Sequence, residues 1–442
     1  MAVESRRYVS NPLRRSAAYA LLTTVSLIGA RSIWVTAGAF LAVAAGAAIL
    51  HEGPMFQLFS TPADRREGHL RTLVSLSLAA AGIASLVEIL GLPVSVFVAT
   101  LLTLGFGDFG TRLARVARTD DIWATIGFVF IGGSAAFLGQ VVVSILRSSI
   151  DFGLFPEYLF LSTSAALLGA LLRSVFFDRN DPLVLGLIVL LLWLFAELTV
   201  SVGWTRILIA LFITFVLGYL SFVLDTASIQ GMLTGVFLSL LALVLGGYGW
   251  FAILMAFFVV GGLGTKYRYE EKQERGIAEA NEGARGTENV LGNSLPALAA
   301  LLLFAAHGRV PIESHVFVFA FAGSVATALA DTLSSEIGGL YDHPRLITTF
   351  ERVTPGTDGA VTWQGELAGL LGATLVAALA VLLLSVDLFG ASVIVVAGLV
   401  GMTADSLAGA LIEGEVVGNQ SVNIIATSVG AVVGAILSAV LF

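Results

Sequence analysis

Apolar residues run through the chain in fifteen blocks, at about residues 16–30, 32–50, 72–90, 93–107, 122–146, 158–174, 183–202, 206–223, 230–246, 247–263, 292–306, 313–331, 368–385, 389–411 and 422–441. Polar residues gather between them. The pattern predicts an all-α polytopic integral membrane protein with roughly fifteen transmembrane or re-entrant helices. Several blocks hold only about fifteen residues, and at about 1.5 Å rise per residue these fall short of a hydrocarbon core of about 30 Å. Two or three are therefore expected to be re-entrant or half-helices.

Composition agrees: 57% hydrophobic residues, 12% charged residues and a mean hydropathy of +0.94 exclude a soluble globular protein. Basic residues collect on the cytoplasmic side of membrane proteins. With the N-terminus inside, nineteen Lys and Arg fall on inner segments and four, Arg31, Arg147, Arg206 and Arg309, on outer ones. This predicts a multi-pass protein of the cell membrane with a cytoplasmic N-terminus and an outer C-terminus. The first block follows four arginines, but Arg31 and an immediate second block leave no cleavage site of small residues, so it reads as a retained span. There is no cysteine, hence no disulfide framework or thiolate metal site, and the five histidines show no metal-binding spacing. The net charge of −8 and only two lysines, Lys266 and Lys272, suit a high-salt cytoplasm or GC-biased codon usage equally, and no nucleic-acid partner is expected.

A pair of spans recurs. Residues 313–385 read as a span ending in ADTLSSEIGG, a loop with TPGTDGAVTWQG and a glycine-spaced span; residues 391–442 repeat the plan with TADSLAGALIEG, VVGNQSVN and a span holding Gly430 and Gly434. A fainter copy is GFGDFGTRLAR at 105–115 followed by GFVFIGGSAAFLG. Each copy sets an aspartate near the inner face: Asp108, Asp331 and Asp405. Glycines three and four apart serve close helix packing. A carboxylate in the bilayer centre costs about 2.5–3.5 kcal/mol, so such aspartates are candidate site residues unless they are interfacial caps. On a helix, Ser334 and Ser335 share the face of Asp331, while Glu336 lies about 140° round and joins it only if the helix ends there. Gly409 and Glu413 follow Asp405 on nearly one face. Hard oxygen ligands of this kind suit Mg²⁺ held jointly with a nucleotide, or else are solvated acids at a helix end.

The longest charged segment is TKYRYEEKQERGIAEANEGARGTENVLGN, residues 265–293, with five of the 23 basic residues. Six glutamates outweigh them. As a helix it would place Arg268, Lys272 and Arg275 within a 60° stripe opposite Glu270, Glu271 and Glu274, leaving the stripe available to phosphate or merely solvated.

Taken in order, TKYRYEEKQERGIAE, GARGTENVLGN, ADTLSSEIG, PRLITTFERVTPGTDGAVTWQG and GNQSVN resemble the transmembrane protein 19 family, also called domain of unknown function 92, which includes plant phytyl phosphate kinases. The resemblance covers 219–442, with cytoplasmic loops at 264–293 and 332–367. Around Thr354 and Asp358 the chain lacks a second proline and a glycine or serine that the family pattern would have. Residues 1–218 form a separate N-terminal membrane domain, in which GFGDFGTRLAR resembles a motif of CTP-dependent polyprenol (phytol and dolichol) kinases. The basic loop of that motif is replaced by Arg118, Asp120 and Asp121, so this half is either a degenerate kinase or a structural or lipid-channel element.

The resemblance implies an isoprenyl phosphate kinase that moves a phosphoryl group from CTP to a phytyl or geranylgeranyl-type monophosphate, with Mg²⁺. Asp331, Glu336 and Asp405 would serve catalysis by holding Mg²⁺. Lys266, Arg268, Lys272, Arg275 and Arg285 would bind phosphates. Asn289, Asn293 and Asn423 would orient phosphate or ribose, with donors from Thr357 and the turn at Gly356. No GxxxxGK[ST] occurs, which excludes a P-loop. Partners would be the isoprenoid substrate and membrane lipids; the oligomeric state is left open. The competing classes are a transporter or flippase for a lipid or small anion and an accessory assembly protein.

Overall fold

The computed structural model describes residues 2–147, 150–175, 181–198, 202–224, 227–278, 287–413 and 417–442. All fifteen apolar blocks fall on helix, wholly or in their larger part. Eleven helices are long and apolar enough to cross a membrane, and three shorter apolar helices, Ile33–Ala48, Pro182–Glu197 and Val290–Ala305, accompany them among the described residues. The block at 93–107 is no half-helix. Its helix continues through GDFGTRLARVA to Ala117, because a polar helix end looks short to hydropathy while its backbone ladder runs on.

The chain forms two compact units, Met1–Ile207 and Leu208–Phe442. The divide falls inside one helix, Trp204–Val223, which also contains position 218.

The N-terminal unit contains α1 (Ala2–Thr23), α2 (Ile33–Ala48), α3 (Pro54–Phe59), α4 (Pro62–Glu67), α5 (Arg71–Ile89), α6 (Val94–Ala117), α7 (Asp121–Arg147), α8 (Phe155–Val175) and α9 (Asp181–Glu197), and α10 (Trp204–Val223) carries the divide. Helix α6 is its axis, packing against α1, α7, α8 and α9. The glycines of GFGDFG make this contact close: a Cβ at Gly110 of α6 would collide with the Gly127 carbonyl of α7. Helix α4 is short but well tied. Thr61 and Asp64 form a reciprocal capping box, and Gly68 closes the helix in the left-handed region.

The C-terminal unit contains α11 (Ile229–Leu241), α12 (Tyr248–Lys266), α13 (Tyr269–Glu274), α14 (Thr287–Ala305), α15 (Ser314–Gly338), α16 (Trp363–Leu383), α17 (Leu388–Ile412) and α18 (Asn419–Leu441). A two-stranded antiparallel ribbon of β1 (Arg345–Leu346) and β2 (Ala360–Val361) joins α15 to α16, with Arg345 opposite Val361. Helix α15 is the hub and touches α12, α14, α16, α17 and α18. Since lipid supplies no hydrophobic drive between helices, the seams rely on small residues. A Cβ at Gly365 would stand 2.7 Å from the Ser334 carbonyl, and one at Gly323 would stand 2.5 Å from that of Gly430. Farther along the hub, Trp250 of α12 packs between Phe304 and Phe321, with ring centroids 4.6 and 4.4 Å away.

Candidate functional site

Three helices of the C-terminal unit end, and three begin, at one level: α12, α15 and α17 end where α14, α16 and α18 start. A cavity of about 360 Å³ lies among these ends. The two repeated hairpins, α15–α16 and α17–α18, explain its centre. Helices α15 and α17 each have 25 residues, and Asp331 occupies the same position in one as Asp405 does in the other. Because the two helices pack together, the carboxyl groups come within hydrogen-bonding reach of each other. Oδ1 of Asp405 is buried without a hydrogen-bond partner. Two adjacent carboxyls need a shared proton or a cation between them.

Glu413, just past the end of α17, lies within electrostatic reach of both aspartates. Burial, and then the negative charges of Asp358 and Asp405, push its carboxyl above the usual glutamate range. Asp358 arrives on the loop between the ribbon strands, where Gly356 and Gly359 adopt φ of 84° and 72°. Gly359 is pressed on α17, since a Cβ there would meet the Ser406 carbonyl at 2.5 Å. The turn is also closed by its threonines, with the Thr357 hydroxyl donating to the Thr354 carbonyl at 2.8 Å. Thus five carboxylates, Asp331, Glu336, Asp358, Asp405 and Glu413, line the cavity.

Lys272 is the one Lys or Arg among the lining residues, and it is engaged. It is 1% exposed, pairs with Glu336, and donates to the carbonyls of Gly264 and Thr265 at 2.8 and 3.1 Å. This corrects two expectations. The helix does not end at Glu336 but runs on to Gly338, which leaves Glu336 about 140° round from Asp331, lining the cavity as the ion-pair partner of Lys272. Among the described residues no group of three or more His, Cys, Asp and Glu side chains has metal-binding geometry. The basic stripe is also dissolved. Helix α13 is six residues long, Arg268 caps it in the left-handed region and pairs with Glu271, and Arg275 bridges Glu271 and Asp342. Lys266, Arg268 and Arg275 do not line the cavity. Arg285 lies outside the described residues, as does the side chain of Asn289.

Of the other expected residues, the cavity gathers Asn293, Gly356, Thr357 and Asn423. Ser334 and Ser335, on the face of Asp331, line it too, and it adds donors outside the expected set: Thr332, Thr362, Ser406 and Asn419. The signal for Asn419 was present, because it stands one helical turn before Asn423 in GNQSVN on the opening face of α18. That helix has Gly418 as its N-cap and no side-chain cap, so its first N–H groups point out of the helix end.

A donor set of two close aspartates with one orphaned oxygen fits Mg²⁺, which characteristically takes one or two carboxylates and completes its shell with phosphate and water. A cavity this acidic would repel an unaccompanied polyphosphate, and its hydroxyl, amide and asparagine donors would meet phosphate oxygens only alongside a cation.

Relatives of the chain occur in archaea, plants and cyanobacteria. The uncharacterized membrane protein MJ0933 of Methanocaldococcus jannaschii is 37% identical over 215 residues, which are 47% of this chain and 84% of that protein. Protein VTE6, chloroplastic, of Arabidopsis thaliana is 32% identical over 196 residues, 43% of this chain and 59% of that protein. The uncharacterized membrane protein sll0875 of Synechocystis sp. is 36% identical over 193 residues, 42% of this chain and 73% of that protein. No solved structure matches the chain. The family model described as integral membrane protein DUF92 matches residues 212–436, the stretch that holds every lining residue of the acidic cavity, and the chain belongs to that family.

Proposed function

We propose that the C-terminal unit is a membrane-embedded isoprenyl phosphate kinase, transferring the γ-phosphoryl group of CTP to a phytyl or geranylgeranyl-type monophosphate. The observation that carries this reading is the Asp331–Asp405 pair: two acids from equivalent helices, meeting at a membrane-face cavity rich in phosphate donors. The similarity to a chloroplast relative and the resemblance to a family that includes phytyl phosphate kinases support it. CTP is the donor that the resemblance implies.

In the reaction an oxygen of the acceptor monophosphate attacks the γ-phosphorus of CTP. The new P–O bond makes a diphosphate, the bond from the γ-phosphorus to the bridging oxygen breaks, and CDP departs with that electron pair. The acceptor oxygen is already ionised, so no carboxylate base is needed, and catalysis is positioning with charge stabilisation. Asp331 and Asp405 would hold Mg²⁺, which when bound neutralises charge on the phosphates. The first turn of α18, with Asn419 and Asn423, and the Thr354–Gly359 turn would orient phosphate oxygens through N–H, amide and hydroxyl donors. Lys272 anchors the loop by its bond to Glu336 and keeps α13 seated. The acceptor's chain stays in lipid, at about 0.8 kcal/mol per buried CH₂, which explains why a membrane unit does this chemistry.

Purified full-length protein incubated with γ-labelled CTP, Mg²⁺ and geranylgeranyl phosphate is expected to put label into a lipid diphosphate. Absence of labelled product, together with substrate movement in a proteoliposome flux assay, would replace the kinase by the transporter reading.

A further inference from the structure

The N-terminal unit holds a cavity of about 1090 Å³, on which the kinase reading makes no claim. Its wall changes character along the helices that build it. On one face of α6 the lining residues are Leu101 and Leu104, then Asp108, then Arg112, in successive turns. Helix α5 runs the gradient the other way, from Arg71 at its start to Val74 and Leu78 deeper in. The cavity is therefore cationic toward the helix ends and leucine-rich toward the middle of the unit.

Five arginines, Arg15, Arg66, Arg71, Arg112 and Arg173, line it against three carboxylates. Two of the acids are already held. Asp64 accepts from the backbone N–H groups of Thr61 and Thr72, and Glu67 pairs with Arg71 at 3.1 Å. Arg15 stands within electrostatic reach of both Arg112 and Asp108, so two guanidinium groups face one carboxylate. Nε of Arg112 is buried with no hydrogen-bond partner. Like charges in a partly buried space, with an unsatisfied donor, call for an anion. The excess of two positive charges matches a phosphate monoester, which carries about −1.5 to −2 near neutral pH, and guanidinium forks suit its oxygens.

We propose that this cavity binds the phosphate monoester head of a membrane amphiphile between Arg15 and Arg112, with its hydrocarbon chain along Leu101, Leu104, Val74 and Leu78. The site lies in the N-terminal unit and is opposite in charge to the acidic cavity.

The test uses the full chain in phosphatidylcholine nanodiscs, with dioleoyl phosphatidic acid as the probe and dioleoylglycerol and inorganic phosphate as competitors. Phosphatidic acid is expected to bind, Arg112→Gln to weaken it about tenfold, the loss of one charge-assisted hydrogen bond, and Asp108→Asn to tighten it. Neither competitor should displace it at equal concentration. Should Arg112→Gln fail to fold, Asp108→Asn decides alone, and an unchanged affinity in that variant overturns the proposal. Equal displacement by dioleoylglycerol would show that the phosphate is not recognised. Equal displacement by inorganic phosphate would show that the lipid chain is not, and either result overturns it.

Discussion

Lys272 and Glu336 are 64 residues apart in the chain and meet as a pair that is 1% and 9% exposed. A buried charge that loses its partner is left uncompensated, at a cost of about 3–5 kcal/mol, whereas replacing both partners by apolar groups is often neutral. Lys272→Met alone is therefore expected to lower the melting temperature in detergent sharply, and Lys272→Met with Glu336→Leu to recover most of the loss; a silent single variant would contradict the pairing. This pair was not legible in the sequence, because nothing local links a lysine of one loop to a glutamate at the end of a distant helix. Only the offset of Glu336 from Asp331 around the helix pointed away from a shared site. Asp331 and Asp405 were legible for the opposite reason. A repeat makes two residues equivalent before their contact is known, and the packing of equivalent helices brings them together.

At the scale of elements, the apolar blocks located the helices because a span must satisfy its own backbone polar groups in lipid. Their polar ends were underestimated, as α6 shows. The stripe expected over Arg268, Lys272 and Arg275 failed for a related reason: charge periodicity describes a helix only if the helix continues, and α13 stops after Glu274. The hairpin α15–α16 depends on close backbone approach at Gly365, where a Cβ would press on the Ser334 carbonyl at 2.7 Å. Gly365→Val is expected to cost about 1–3 kcal/mol through overpacking, read as a lower melting temperature, and to displace Ser334 from the cavity. Wild-type stability in that variant would contradict the seam.

For the whole molecule, the division at Ile207 and Leu208 and the family match over 212–436 assign the acidic cavity to one unit. The archaeal relative matches 47% of this chain over 84% of its own length. A fragment comprising 204–442 is expected to fold in the membrane and to retain phosphoryl transfer within about tenfold of the full chain, a loss of about 1.4 kcal/mol at most; failure of a well-folded fragment to act would show that the N-terminal unit supplies part of the site. In the proposed kinase Asp331 and Asp405 act together, with a divalent cation, on the phosphates of two substrates. Label transfer from γ-labelled CTP to geranylgeranyl phosphate, measured across a Mg²⁺ titration for the full chain and its Asp331→Asn and Asp405→Asn variants, checks this joint action. The expected result is transfer that requires Mg²⁺ and falls by at least about a hundredfold in either variant, with membrane expression and melting temperature preserved. Transfer at wild-type rates in both variants, or transfer indifferent to chelation of the metal, would contradict it.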